Sequence, residues 1–229
     1  RERAGRPSPA RLLIALGDPV FDRTDPRLSL ARTTAPAPVS PVPWARRVSR
    51  LPYSRDEVDQ ISALAPKSKA IKLVDFDATR AVTTGATFGA ARYVHLATHA
   101  LQDDADPELS GIVLSLFDKA GAPQDGFLRL HDIYALRLSS ELVVLSGCQT
   151  AAGADLPGEG VSSLAQGFFY AGVTRVMATL WKVDDEATAA MMRHFYSGLL
   201  REGRSPAAAL RAAQAAMRAD ARWSDPYFW

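Results

Sequence analysis

Short apolar runs alternate with amphipathic stretches along this chain, and no other feature constrains its fold as much. RLLIAL at 11–16, AIKLV at 70–74, YVHLAT at 93–98, ELVVLS at 141–146 and VTRVMATL at 173–180 are aliphatic, partly β-branched and short. Such runs predict strands buried on both faces. GIVLSLF at 111–117 predicts a further strand of undetermined direction, followed by a turn around 119–126. Between the strands the apolar period changes. SRDE at 54–57 has capping-box spacing, and Val58, Ile61 and Leu64 follow at helical intervals until Pro66. Short helices are predicted at 79–88 and near 130–136, and a longer one at 160–170. After Asp184 a long helix carries Met191, Phe195 and Leu199 on one face. The last helix has Ser205 as its cap, Pro206 at its first position and an apolar stripe of Leu210, Ala213 and Met217. Repeated strand-then-helix order predicts an α/β fold, with a mostly parallel sheet, right-handed crossovers and helices on both faces.

A chain of 229 residues with 47% apolar content supports one α/β core. We read residues 1–10 as a linker and 11–229 as one domain, interrupted at about 24–52 by a Pro-rich, irregular connection. Charges nearly cancel, with 27 basic against 25 acidic residues, so neither nucleic acid nor a membrane surface is an expected partner. Residues 1–50 hold ten Arg and four acidic residues, leaving 17 basic and 21 acidic for the remainder. The basic excess therefore lies in the N-terminal segment. A single Cys excludes an internal disulfide and gives no reason for an oxidising compartment, so the expected location is cytoplasmic. No apolar run approaches the ~20 residues of a membrane-spanning helix, and residues 1–10 lack a signal-peptide core. The absence of an initiating Met is read as the mark of a fragment of something longer.

In open parallel sheets, functional side chains gather beyond the carboxyl ends of strands. Here those ends release the chain at His99, at Cys148 and at 181–185, so three chemically capable clusters share one edge. A thiol becomes a useful nucleophile when an imidazole takes its proton. The His–Cys interval is 148 minus 99, or 49, close to the ≈ 50 of caspases, although SGCQT replaces the caspase pentapeptide. A lone Cys is also a common inert core residue, and the two strand-end placements favour function over that reading. His95 and His99 would stand ~13 Å apart on a strand, too far to share a metal ion. His95 is expected inside its strand with a satisfied hydrogen bond, and His131 and His194 on the surface or on helix faces. No metal site is predicted. Gly158 and Gly160 fit neither phosphate-loop fingerprint.

YVHLATHA around His99, ELVVLSGCQTAAG around Cys148, GEGVSSLAQGFFYAGVTRVMATLWKVDDEAT and FYSGLLREGRSPAAALRAAQ, in that order, resemble the CHAT family of caspase-like peptidases. The resemblance implies a caspase-hemoglobinase-like three-layer α/β/α sandwich and a cysteine endopeptidase acting through a Cys/His dyad at Cys148 and His99. It implies no metal or organic cofactor, and a protein or peptide substrate. Helical tandem repeats in the same full-length chain are an implied partner, and regulation by a partner or attached domain is expected. The family more often has Gly after the histidine, where Ala100 stands, and Ala before the cysteine, where Gly147 stands. Backbone N–H groups of Cys148 and Ala100 are the implied oxyanion donors. Trp181, Asp184 and Asp185 leave the strand where caspase-like folds build the primary pocket. Asp184 or Asp185 could pair there with a substrate Arg or Lys, or could simply cap the next helix, with Glu159 and Asp155 as weaker candidates. The 149–159 loop is a plausible mobile element. The alternative function is a catalytically weak, caspase-like protein-interaction module.

Overall fold

A computed structural model describes residues 9–28, 48–101, 110–148, 160–179, 181 and 183–229. Its sheet is built around β3 (Ala91–Leu101). β3 pairs in parallel with β1 (Arg11–Pro19) on one side and with β6 (Leu142–Cys148) on the other, so that His95 lies beside both Ala15 and Val144. β2 (Ala70–Asp75) extends the sheet beyond β1, and β7 (Val176–Ala178) extends it beyond β6, again in parallel. Past Ala97, β3 outruns β1. Its last two residues pair antiparallel with β4 (Gly111–Val113), which pairs antiparallel with β5 (Phe127–Arg129). The fold is therefore α/β with a mixed sheet, in which the described pairings include four parallel and two antiparallel ladders.

Parallel neighbours need crossovers, and the helices supply them. α1 (Pro52–Leu64) links β1 to β2, while α2 (Arg80–Thr83) and α3 (Ala86–Gly89) link β2 to β3. α4 (Leu130–Ala135) precedes β6, and α5 (Gly160–Tyr170) joins β6 to β7. After β7 come α6 (Asp185–Tyr196), a π-helical turn over Ser197–Arg201 and α7 (Pro206–Ala219). Alternate strand residues face opposite layers. Leu16, Val94, Leu96, Val143 and Leu145 pack with Phe88, Ile133, Leu164 and Phe168 from α3, α4 and α5. Leu13, Ala15, Tyr93, Ala97 and Val144 pack with Val58 and Ile61 of α1, Phe195 of α6 and Met217 of α7. Each fully buried Leu or Phe in these layers contributes roughly 2 kcal/mol of transfer free energy.

Several local expectations change. α1 begins at Pro52, not at a Ser54 cap; proline suits a first helical turn because it has no N–H to satisfy. Ser54 instead lies inside that turn, where its hydroxyl donates to the Leu51 carbonyl and accepts the Asp18 N–H. The helix expected at 79–88 is split into α2 and α3 by Thr84 and Gly85. Of the strand expected at 111–117 only β4 forms, because beyond Val113 the chain turns to bond Gly126, Ala78 and Val20. β5, three residues long, carried no visible period of its own. β6 runs through Cys148 where the apolar run ended at Ser146. The Ser205 cap stands, its hydroxyl accepting the Ala208 N–H. Of the Pro-rich connection, residues 29–47 lie outside the described residues, as do residues 1–8 of the expected linker.

Candidate active site

β3 and β6 deliver the two candidate catalytic residues to adjacent positions. A register shift after Leu96 leaves His99 beside Gly147 and Ala100 beside Cys148. Neighbouring strands lie ≈ 4.8 Å apart, so the backbones at 99 and 148 are one register step apart on touching strands. Gly147 permits that approach: a Cβ there would stand 2.5 Å from the Thr98 carbonyl oxygen. The Thr98 hydroxyl donates to the Val113 carbonyl (2.6 Å), tying the shifted end of β3 to β4.

His99 is 1% exposed and oriented from two sides. Its ring lies 5.2 Å from that of Phe21, which packs with Val48, Leu101 and Val113 in a small apolar cluster. Its Nε2 lies 2.6 Å from the Ser49 carbonyl oxygen. A carbonyl only accepts, so Nε2 carries the proton and the lone pair of the neutral ring is on Nδ1. Ser49 is anchored on both flanks, by Val48 in the apolar cluster and by Arg50, which donates to both oxygens of Asp18 at 2.8 Å.

Asp18, at the end of β1, is fully buried and has φ +48°, a left-handed conformation that Asp tolerates better than most residues. Arg27 and Arg55 also reach its carboxylate, at 3.0 and 3.1 Å. Asp75 at the end of β2 pairs with Arg27 (2.6 Å) and with Arg55. Burial works to raise the Asp75 carboxyl, and the hydrogen bonds from Arg55 and Arg27 outweigh it and hold it below the usual range. Arg27 likewise lowers the Asp25 carboxyl by hydrogen bonding. This guanidinium–carboxylate network stiffens the edge beside His99.

Beneath the same edge lies a second polar group. His95 is fully buried inside β3, its Nδ1 3.3 Å from the Tyr196 hydroxyl and its Nε2 3.4 Å from the Ser146 hydroxyl. Glu57 of α1 places Oε1 2.7 Å from Nε2, as an ion-pair neighbour and not as an aligned hydrogen bond. His95 thus has the interior, bonded role expected of it. Its buried surroundings push the Tyr196 phenol well up. His131 is exposed and His194 half-buried on α6.

The remaining candidates separate. Trp181 sits half-exposed just past β7, its indole N–H donating to the Tyr227 carbonyl (2.9 Å). Asp184 caps α6 by accepting the Ala187 N–H (2.9 Å), and Asp185 accepts the Tyr53 N–H (3.0 Å) at the start of α1. Burial raises the Asp185 carboxyl to about 6, helped by Glu57, Asp184 and Asp18 and opposed by the Tyr53 bond. Glu159, Asp155 and the 149–159 loop lie outside the described residues. Among the described residues no cluster of three or more His, Cys, Asp or Glu is arranged to hold a metal ion, and no helix is long and apolar enough to cross a membrane.

Residue patterns missed the Ser49 carbonyl, the Asp18 shell and the Glu57–His95 pair. A strand-end rule applied to Asp18 in GDP could have found it. A backbone carbonyl in a Pro-rich stretch leaves no trace in side-chain identity.

A family model described as CHAT domain matches residues 1–229. The mouse protein named Tetratricopeptide repeat protein 28 is 36% identical over 102 residues, a stretch that is 44% of this chain and 4% of that protein. The similarity thus concerns a small part of a much longer relative.

Proposed function

This chain belongs to the CHAT family, a caspase-like, peptidase-related family, and from that premise we propose that it is a cysteine endopeptidase domain of caspase-hemoglobinase architecture. The carrying observation is the register that puts Ala100 beside Cys148 and His99 one step away, with His99 held in one tautomer by Ser49.

In the proposed reaction the Nδ1 lone pair of His99 takes the Cys148 proton. The thiolate sulfur attacks the scissile carbonyl carbon, and the carbonyl π electrons move to oxygen. Backbone N–H groups of Cys148 and Ala100 stabilise that oxyanion. Collapse breaks the C–N bond as the His99 imidazolium gives its proton to the leaving amine, leaving a thioester. Water, deprotonated by His99, then releases the acid and restores the thiol. The Ser49 carbonyl favours the transient imidazolium by accepting from Nε2. No third carboxylate is required, since a thiol ionises far more readily than a hydroxyl. The methyl group of Ala100 is buried in the apolar core, and the proposed donor is the backbone N–H, which Ala retains. The tetratricopeptide-repeat relative supports an attached helical-repeat domain, which we take as the regulating partner, and a single Cys leaves no internal disulfide to call for an oxidising compartment, so the proposed location stays cytoplasmic.

The test is labelling of the full-length protein with a peptidyl acyloxymethyl ketone, alongside cleavage of a peptide library. Wild type should be labelled once, and Cys148→Ala should be neither labelled nor active. Labelling that persists in Cys148→Ala puts the nucleophile elsewhere. Tight binding of peptides with no labelling and no cleavage, even with the attached domain present, favours the interaction-module alternative.

A further inference from the structure

Beside the strand ends that carry the proposed dyad lies a cavity of ≈ 270 Å³ that the mechanism does not use. Its walls come from four elements brought together only by the fold: β6, β7, α6 and α7, closed by the C-terminal tail. Of the lining residues at the ends of β6 and β7, Ser146 is buried and Trp181 is exposed. Ser146 precedes Cys148 by two residues on β6, and the pairing of Leu145 with Ala178 brings Thr179 level with Ser146 on the next strand. The Trp181 indole N–H donates to the Tyr227 carbonyl and ties the tail to the chain leaving β7. Met177, Met191, Met192, Leu210 and Phe228 supply an apolar lining.

Three observations say what such a space takes. Among its described lining residues none is charged, so an Arg, Lys, Asp or Glu side chain would lose its hydration with no charged partner among them. Its volume exceeds the ~150 Å³ of an apolar cavity that accommodates benzene, so it has room for a large side chain. Three methionines in the wall give a lining that re-packs around different shapes. Two polar atoms in that wall, Thr179 Oγ1 and Trp229 Nε1, are buried without a hydrogen-bond partner among the described residues. A buried donor left unpaired is costly, and among large apolar side chains only the sulfur of Met can accept from it, weakly. Asp184 and Asp185, the acidic groups nearest in sequence, already accept backbone N–H groups.

We propose that this cavity between β6, β7, α6 and α7 is the primary specificity pocket and receives a large uncharged side chain of the substrate, such as Met, Leu or Phe, on the acyl side of the cut. The proposal rests on the peptidase reading above and adds its substrate class. The side chain enters beside the exposed Trp181, and Leu210 with the methionines lines the space it fills.

The pocket is read without turnover in the Cys148→Ala protein. The chain has four methionines, of which Met177, Met191 and Met192 line the cavity and Met217 does not. With ¹³C-methyl methionine labelling, N-acetyl-methioninamide and N-acetyl-leucinamide should shift the first three methyl signals and leave Met217 in place. N-acetyl-argininamide and the α-amide of N-acetyl-aspartic acid should shift none. No response to the apolar amides, or an equal response to the charged ones, overturns the proposal.

In wild type, cleavage after Met, Leu or Phe should exceed cleavage after Arg, Lys or Asp by at least about tenfold in kcat/KM. Leu210→Trp should move the preference to smaller residues, and Gln214→Trp, at a second α7 residue lining the cavity, serves the same purpose if the first variant unfolds on thermal melting. Cleavage after a charged residue overturns the pocket while sparing the peptidase reading. Apolar shifts with neither labelling nor cleavage overturn the peptidase reading and leave the cavity as an apolar-residue binding site.

Discussion

At the level of single residues, His99 shows how much of a proposed catalytic group is made by its neighbours. Phe21 braces the ring, and the Ser49 carbonyl selects the tautomer. Arg50 and Val48 in turn hold Ser49, and Asp18 holds Arg50. A His placed like this should stabilise a nearby thiolate, so the Cys148 thiol should alkylate with an apparent pKa below the ordinary value. In His99→Gln the pKa of iodoacetamide alkylation should return to about 8.5. Because the chain has one thiol, the measured rate belongs to Cys148 alone. An unchanged alkylation profile in His99→Gln would show that imidazole and thiol do not communicate. The position of His99 at the end of an apolar run was readable from residue order, whereas its acceptor was not. Ser49 acts through its main chain, which is the same for every residue type.

Among elements, the contact between α1 and its neighbours carries two consequences. Gly17 of β1 faces α1 so closely that a Cβ would lie 2.7 Å from Val58 Cγ2 and 2.8 Å from the Ser54 carbonyl oxygen. Gly17→Ala must push the helix outward, costing about 2 kcal/mol and lowering Tm by about 5 °C in a chain of this size. Asp185, at the start of α6, meets the first turn of α1 through the Tyr53 N–H. Its carboxyl is raised to about 6 from an ordinary 3.8, chiefly by burial. The folded state therefore holds this proton more tightly than the unfolded chain does. Its contribution to stability is present below about pH 4, falls as pH rises towards 6, and is absent above. Asp185→Asn keeps an acceptor for Tyr53 and removes the charge. It should raise stability at pH 7.5 by about 1 kcal/mol after solvent screening, with no gain at pH 3.5. Urea melts of both proteins at the two pH values measure this, and a pH-independent difference would contradict it. The period of each helix was visible in the chain, but α1 starts two residues before the apparent Ser54 cap. The hydroxyl found better partners in Leu51 and Asp18.

For the molecule as a whole, β3 is the strand on which everything else is hung, paired with β1, β4 and β6 and packed on both faces. Hydrogen exchange should therefore find its slowest amides in β1, β3 and the first half of β6, opening only with global unfolding, while β7 at the sheet border and the C-terminal tail exchange earlier. Equal protection of β3 and β7 would mean that the sheet does not open from this side. Strand and helix periods along the chain were enough to determine the α/β class, the main elements and the sheet edge to which positions 99 and 148 belong, because each of those depends on short-range patterning. Tertiary structure alone decided that Ser49 accepts from His99, that three arginines close on Asp18, and that strands, helices and tail enclose an apolar cavity beside Ser146. Those contacts join residues far apart in the chain, and they exist only once strand register and helix packing have been set together, which no local stretch of sequence can specify.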